Sequence, residues 1–160
     1  IDDKKINLKR ATNSDSETIY SWRNDKTTRD MSLDTEYVSW ATHKEWYKRI
    51  INRDDIILML CHEEDNNIQS IGMIRLDLKS SKKTGSVSIN LNPKFRGRSL
   101  AKYCLISFIH YLREFHPKIK KITATIKEEN FPSISAFEKA GFSISRSPKD
   151  GVLEYLFHLS

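Results

Sequence analysis

The segment that most constrains this chain runs from Val87 to Ala101. Val87 to Leu91 alternates branched apolar and polar residues with period two, the mark of a strand with one buried face. Asn92 and Pro93 end it. Arg96, Gly97, Arg98 and Ser99 then form a small-residue, basic knuckle, and a helix opens behind it. That helix carries Leu100, Cys104, Leu105, Phe108, Ile109 and Leu112 along one stripe. The first turn of a helix leaves backbone N–H groups without intrahelical partners and carries partial positive charge. Strand, knuckle and helix start together therefore make a seat for phosphate groups. It is not a Walker loop, because no Gly-Lys-Ser/Thr follows. Nor is it the dinucleotide fingerprint, two of whose three glycines are missing.

A second segment follows about thirty residues later. Lys121 to Ile126 alternates as a strand. In Asn130-Phe131-Pro132-Ser133-Ile134-Ser135-Ala136-Phe137-Glu138-Lys139-Ala140-Gly141-Phe142, Pro132 suits the first turn of a helix. Gly141 suits the left-handed residue beyond the helix end, with Phe142 packing back on that end.

The two segments, in this order, resemble the signatures of the GNAT-superfamily acyltransferases: Arg/Gln-x-x-Gly-x-Gly/Ala at Arg96 to Ala101, then Asn-x-x-Ser-x-x-x-aromatic-x-x-x-Gly-Phe from Asn130. The resemblance implies an α/β (mixed α+β) fold, with a mixed, mostly antiparallel central sheet of about seven strands flanked by four helices. It implies acetyl-CoA as co-substrate, no metal, and an acetyl-CoA-dependent N-acetyltransferase. The amides of Arg96, Gly97, Arg98, Ser99, Leu100 and Ala101 would hold the coenzyme's pyrophosphate. The backbone of Asn90 and Leu91 would align the thioester and stabilise the tetrahedral oxygen. Asn130 would contact the pantetheine or leaving sulfur, and Ser133 and Phe137 would lie along the coenzyme. The strands ending at Leu91 and Ile126 would splay apart to admit the pantetheine arm. Three positions depart from the pattern: Ser99 replaces a glycine, Phe137 stands where many relatives have a tyrosine, and Gly85-Ser86-Val87 lacks the glutamate base of some relatives.

The rest of the chain reads in the same order of elements. Lys5 to Ala11 alternates as a first strand. Ser14-Asp15-Ser16-Glu17 reads as a capping box opening a helix that carries Ile19 and Trp22 and ends near Asn24-Asp25. Thr27 to Glu36 is irregular and polar. Ser39 caps a second helix, Trp40 to about Asn52. Ile56 to Glu63 is a hydrophobic strand, Asp65-Asn66-Asn67 a turn and Gln69 to Leu78 the returning strand, followed by a polar turn over Ser80 to Gly85. Ser143 to Arg146 and Val152 to Leu159 form a closing pair, joined by Pro148-Lys149-Asp150-Gly151.

The front third would face the acceptor. Trp22-Arg23-Asn24-Asp25 with Ser39-Trp40-x-x-His43-x-x-Trp46 resembles bacterial N-acetyltransferases that act on nucleotide-linked amino sugars, of the pseudaminic-acid biosynthesis type. The resemblance implies substrate contacts from Trp22, Arg23, His43 and Trp46, and Arg75, which shares a strand face with Asp77, would add a polar contact. The residue types suit such an acceptor, since indole faces stack on rings and guanidinium forks pair with diphosphates. His43, with an ordinary pKa near 6.5, is the expected general base, and Asn90 and Asn130 complete the expected catalytic set. Two other readings stay open. One is a ribosomal-protein N-terminal, polyamine or aminoglycoside N-acetyltransferase; the other is a non-catalytic acyl-CoA-binding regulatory domain.

Length and charge bound the remainder. The 160 residues suit one domain spanning 1–160, which could also be one part of a longer polypeptide. The net charge of +6 comes from scattered Lys and Arg without an aromatic-studded stripe, so polyanionic small molecules rather than nucleic acid are the expected partners. No apolar run has membrane-spanning length. Cys61 and Cys104 read as reduced core thiols, which fits a cytoplasmic monomer or homodimer.

Overall fold

The computed structural model describes residues 6–65 and 69–160. Lys5 and the Asn66–Asn67 part of the expected turn lie outside the described residues. Seven strands make one sheet: β1 (Ile6–Arg10), β2 (Ile56–Glu63), β3 (Gly72–Leu78), β4 (Thr84–Leu91), β5 (Lys121–Lys127), β6 (Ser143–Lys149) and β7 (Val152–His158). The spatial order is β1-β2-β3-β4-β5-β7-β6. Among the described residues only the β4–β5 pairing is parallel.

Five α-helices flank the sheet: α1 (Ser16–Arg23), α2 (Lys26–Met31), α3 (Trp40–Ile50), α4 (Ala101–Phe115) and α5 (Phe131–Lys139). Four were expected. The additional one, α2, falls in the stretch read as irregular. Its N-cap is Asp25, whose carboxylate accepts the Thr28 N–H at 3.1 Å, so a residue read as the tail of one helix starts the next. The entry to α1 also differs. A short 3-10 turn (Asn13–Asp15) precedes it, and Asp15 accepts the Thr12 N–H at 2.8 Å, so the capping pair sits two residues upstream of the expected Ser14/Glu17 pair. The closing turn tightens to Asp150 and Gly151, both at positive φ, and β6 extends to Lys149.

The sheet separates two cores. On one face Ile57, Met59, Cys61, Ile74, Leu76 and Val87 pack with Leu105, Phe108 and Leu112 of α4 and Phe137 of α5. On the other face Ile56, Leu58, Leu60 and Met73 pack with Ile19 and Trp22 of α1 and Tyr47 and Ile50 of α3. Strand β2 feeds both cores, which explains why it is apolar at every position from Ile56 to Cys61. Cys61 and Cys104 are free and buried, as expected. The α1/α3 cluster stops short of β4. There Arg75 and Asp77 of β3 lie opposite Ser88 and Ser86 of β4, and Met73 lies opposite Asn90, leaving a polar, partly open floor. No helix among the described residues is long and apolar enough to cross a membrane.

Candidate active site

The floor ends in a gap. β4 pairs with β5 only from Thr84–Lys121 to Ser86–Thr123. Beyond Ser86, β4 keeps β3 on one side and loses β5 on the other. The gap-facing N–H and C=O groups of residues 87–91 thus have no strand partner, and an exposed strand edge of that kind can hydrogen-bond an extended amide-bearing chain. Asn90 and Leu91, both half-buried, stand at the end of this edge. Gly72 fixes their position from behind. A Cβ at residue 72 would lie 2.5 Å from the Asn90 carbonyl oxygen and 3.0 Å from Leu91 Cα, so only glycine lets β3 approach so closely.

The turn after β4 is held rigidly. Buried Asn92 donates from Nδ2 to the Ser70 carbonyl (3.0 Å) and accepts the Lys94 N–H (3.1 Å). Phe95 and Leu100 anchor the knuckle in the core. Between them Gly97 and Ser99 take φ of 77° and 55°. Serine therefore occupies a left-handed position that glycine would hold with less strain. α4 then begins at Ala101 with no side-chain cap. The open amides of a 15-residue helix start and the left-handed knuckle before it fit a diphosphate.

The arginines of the knuckle are committed elsewhere. Arg96 binds the Asp25 carboxylate and the Thr28 hydroxyl (2.6 Å for the latter). Burial pushes the Asp25 carboxyl up, but Arg96 and the Thr28 N–H outweigh it and hold it below the usual range. Arg98 reaches Glu63 at 3.2 Å and lies over the Phe95 ring. It is the backbone of this segment, more than its cations, that faces the phosphate seat.

On the far side of the gap, Asn130 caps α5, accepting the Ser133 N–H at 3.3 Å. No described residue takes up its Nδ2 hydrogens, and the side chain is partly exposed. Ser133 is half-buried beside it. Phe137 corrects an expectation: only 2% exposed, it packs edge-on against Phe142 at 4.9 Å and belongs to the core rather than to a coenzyme path. Without a hydroxyl to satisfy, its ring follows the apolar side of α5 inward.

The front-end residues divide likewise. Trp22, expected at the acceptor, is a core residue at 4% exposure. His43, the expected base, is fully buried among Tyr20, Trp40, Trp46 and Tyr47. Its Nε2 lies 3.0 Å from the Ser16 carbonyl, which can only accept, so Nε2 carries the hydrogen. Nδ1 then turns its lone pair toward Arg23, 3.5 Å away. Burial, with the Arg23 charge behind it, lowers the His43 pKa and keeps the ring neutral. An enclosed imidazole with both nitrogens engaged cannot take a proton from an incoming amine. It positions Arg23 instead.

Arg23, Trp46 and Arg75 do come together. The Arg23 and Arg75 guanidinium carbons lie 4.7 and 5.0 Å from the Trp46 ring centroid, and all three side chains are partly exposed. Arg75 is neutralised by a two-pronged pair with Asp77 (2.5 and 2.9 Å). Among the described residues no carboxylate lies within ion-pair distance of Arg23. Burial first, then the Arg75 charge, lowers its pKa.

Sequence reasoning missed α2 altogether. Besides the Arg96 link to Asp25 and Thr28, Lys127 at the end of β5 donates to the Asp30 carbonyl at 3.0 Å. α2 is thereby tied to both banks of the β4–β5 opening. The available signal was Asp25 three residues before Thr28, a capping spacing. Among the described residues no group of three His, Cys, Asp or Glu side chains could hold a metal ion.

The family model described as an acetyltransferase (GNAT) domain matches residues 5–143. The chain belongs to the GNAT acetyltransferase family. Acetyltransferase domains of this family take acetyl-CoA as acyl donor. An uncharacterized protein of Methanocaldococcus jannaschii is 24% identical over 161 residues, covering 99% of this chain and 32% of that protein. The chain thus spans about a third of the length of that relative. Among solved structures, a domain from Methanocaldococcus jannaschii DSM 2661 superposes with a TM-score of 0.81 at 20% identity, covering 97% of this chain and 99% of that one. A spermidine N-acetyltransferase from Vibrio cholerae, in complex with CoA and spermine, gives 0.81 at 16% identity, covering 97% and 96%. At such identities these likenesses concern the fold. They agree with the seven-stranded GNAT sheet expected from sequence.

Proposed function

We propose that this GNAT domain transfers the acetyl group of acetyl-CoA to a primary amine by direct attack in a ternary complex, and that the acceptor is anionic, as a nucleotide-linked amino sugar is. The observation that carries the acceptor class is Arg23: a partly buried guanidinium, stacked on Trp46, held by a neutral His43 and without a carboxylate of its own. A partly desolvated cation with only the more distant Asp34 charge to balance it and no carboxylate in salt-bridge contact favours an anionic partner, which would accept its fork of N–H donors.

Acetyl-CoA supplies an activated thioester. The knuckle amides bind its diphosphate, and the free edge of β4 orients the arm. An N–H at Asn90 or Leu91 meets the developing oxyanion, and Asn130 Nδ2 meets the pantetheine or sulfur. Positioning is the dominant contribution, since it turns a bimolecular encounter into an effectively unimolecular step. Neither Phe137 nor His43 is placed to move a proton. The neutral fraction of the amine attacks the thioester carbonyl over the floor of Ser86, Ser88 and Asp77, the C–S bond breaks, and the proton lost from nitrogen passes through water to the departing thiolate, giving the amide and the free coenzyme A thiol.

A polyamine acceptor is the second reading, prompted by the Vibrio cholerae enzyme. A polycation needs uncommitted carboxylates, whereas Asp77 and Asp25 are both paired with arginines. Thiol release from acetyl-CoA, assayed across nucleotide amino sugars, polyamines and aminoglycosides, tests the proposal. Turnover with the nucleotide sugars is expected. Turnover with polyamines alone would overturn the acceptor class, and coenzyme binding without turnover of any amine would leave a regulatory domain.

A further inference from the structure

A second polar hollow lies on the opposite flank of α1. It has a volume of about 630 Å³ and opens between α1 and the strand ends of β1, β2 and β4. Thr18, Ser21 and Trp22 form its α1 wall, whereas Arg23 turns the other way, to His43 and Trp46. It is therefore separate from the acceptor cluster. None of the knuckle residues Arg96 to Ala101 lines it, although Arg98 pairs with Glu63 next to His62.

The groups that converge on this hollow are cationic or hydrogen-bonding. Lys9 comes from β1, His62 from the end of β2, and Lys94 from the turn after β4. Among the described residues neither lysine has a carboxylate within ion-pair distance. His62 is only 8% exposed; Ser70 Oγ lies 3.0 Å from its Nε2, and no described residue bonds its Nδ1. Asp15 is the acidic side chain on the rim, and it is engaged by the Thr12 N–H. Asn92 lies beneath, its side chain spent on Ser70 and Lys94. Two ammonium groups without salt-bridge partners outweigh the one carboxylate, Asp15, around this cavity, and leave a net positive potential that a small anion would neutralise. Both lysines are long and exposed, so they can close on a ligand without moving the backbone.

We propose that this hollow is a second anion site, taking a small phosphate-bearing ligand between Lys9, Lys94 and His62. Its occupant would join β1 and β2 to the Asn92–Lys94 turn, which links the thioester strand to the coenzyme knuckle. Charge-assisted bonds from both lysines carry most of the affinity, and the His62–Ser70 pair adds a neutral donor.

The site is tested on protein saturated with coenzyme A, so that the α4 knuckle is filled. Inorganic phosphate is titrated calorimetrically, and the His62 imidazole is followed by NMR. Phosphate should bind, and the His62 pKa should rise from its lowered position, where burial and then Lys9 now hold it. The Lys9→Ala/Lys94→Ala variant should lose roughly tenfold or more in affinity. Arg23→Ala should bind phosphate as the wild type does. Uridine diphosphate, titrated in parallel, identifies the source: weakening of its binding by the lysine pair assigns the site to a nucleotide phosphate, and weakening for inorganic phosphate alone assigns it to the free ion. No binding to the coenzyme-saturated wild type, binding indifferent to the lysine pair, or loss on Arg23→Ala would each overturn the proposal. Both substituted residues are exposed, so misfolding would not account for a loss.

Discussion

The donor and acceptor banks of the proposed active site, one along the free edge of β4 and the other over its floor, are built from different chemistry. On the donor bank the binding groups are main-chain: the free edge of β4, the left-handed knuckle at Gly97 and Ser99, and the open start of α4. On the acceptor bank they are side chains: Arg23, Trp46 and Arg75, stacked on one another and propped from behind by buried His43. A main-chain site depends on which residues permit the backbone its path. A side-chain site depends on what the core beneath it holds in place. The first kind resists most substitutions but not those that add bulk or charge at the close approach. The second changes specificity with a single side chain.

The sharpest way to break this contrast is Ala101→Glu. A carboxylate at the opening of α4 is favourable for the helix itself, so thermal stability should hold. Facing a diphosphate, it should weaken coenzyme A by about a hundredfold or more, measured by calorimetry. Equal affinity would show that the coenzyme lies elsewhere. Next in size is Arg23→Ala. It should lower kcat/KM for an anionic acceptor by about ten- to a hundredfold while leaving the Kd of acetyl-CoA unchanged. A matching loss in coenzyme affinity would mean that the two banks are not independent.

Acidification tests the prop beneath the acceptor bank. Burial lowers the pKa of His43, His62 and His116. Each binds a proton more readily in the unfolded chain, so stability is complete above about pH 6.5 and declines as the pH falls below it. The melting temperature should drop over that lower range; a flat profile would show that these imidazoles are not enclosed. The smallest effect is expected from Ser99→Gly. Relief of the left-handed strain, about 1 kcal/mol, is offset by the greater freedom of glycine in the unfolded chain. Coenzyme affinity should be preserved or rise a few-fold, and a clear loss would assign the Ser99 side chain a contact of its own.

The contrast also explains what could be read early. The knuckle, Asn130 and Gly141 announce themselves because special backbone geometry needs special residues. Gly141 takes positive φ as expected; the structure adds that Gly97 does so too and that Asn130 caps its helix. The acceptor bank was legible only as a set of residue types. Trp22, Arg23, His43 and Trp46 were all expected to touch substrate, yet two of them face the core. Helical spacing lists which residues share a face, but burial is decided by the element laid over that face. Phe137 failed for the same reason, and α2 was missed because a six-residue helix carries too little periodicity to stand out.

The order of the strands, the left-handed knuckle and the family were legible in the sequence alone, since each rests on local pattern and on residues that the backbone path requires. The partition of the aromatic front end into core and contact surface was decided by the tertiary structure, as was the bridging of the gap by α2. Both depend on which distant groups meet: Arg96 with Asp25, Lys127 with the Asp30 carbonyl, His43 with the Ser16 carbonyl. Such pairings join residues far apart in the chain, and no local periodicity encodes them.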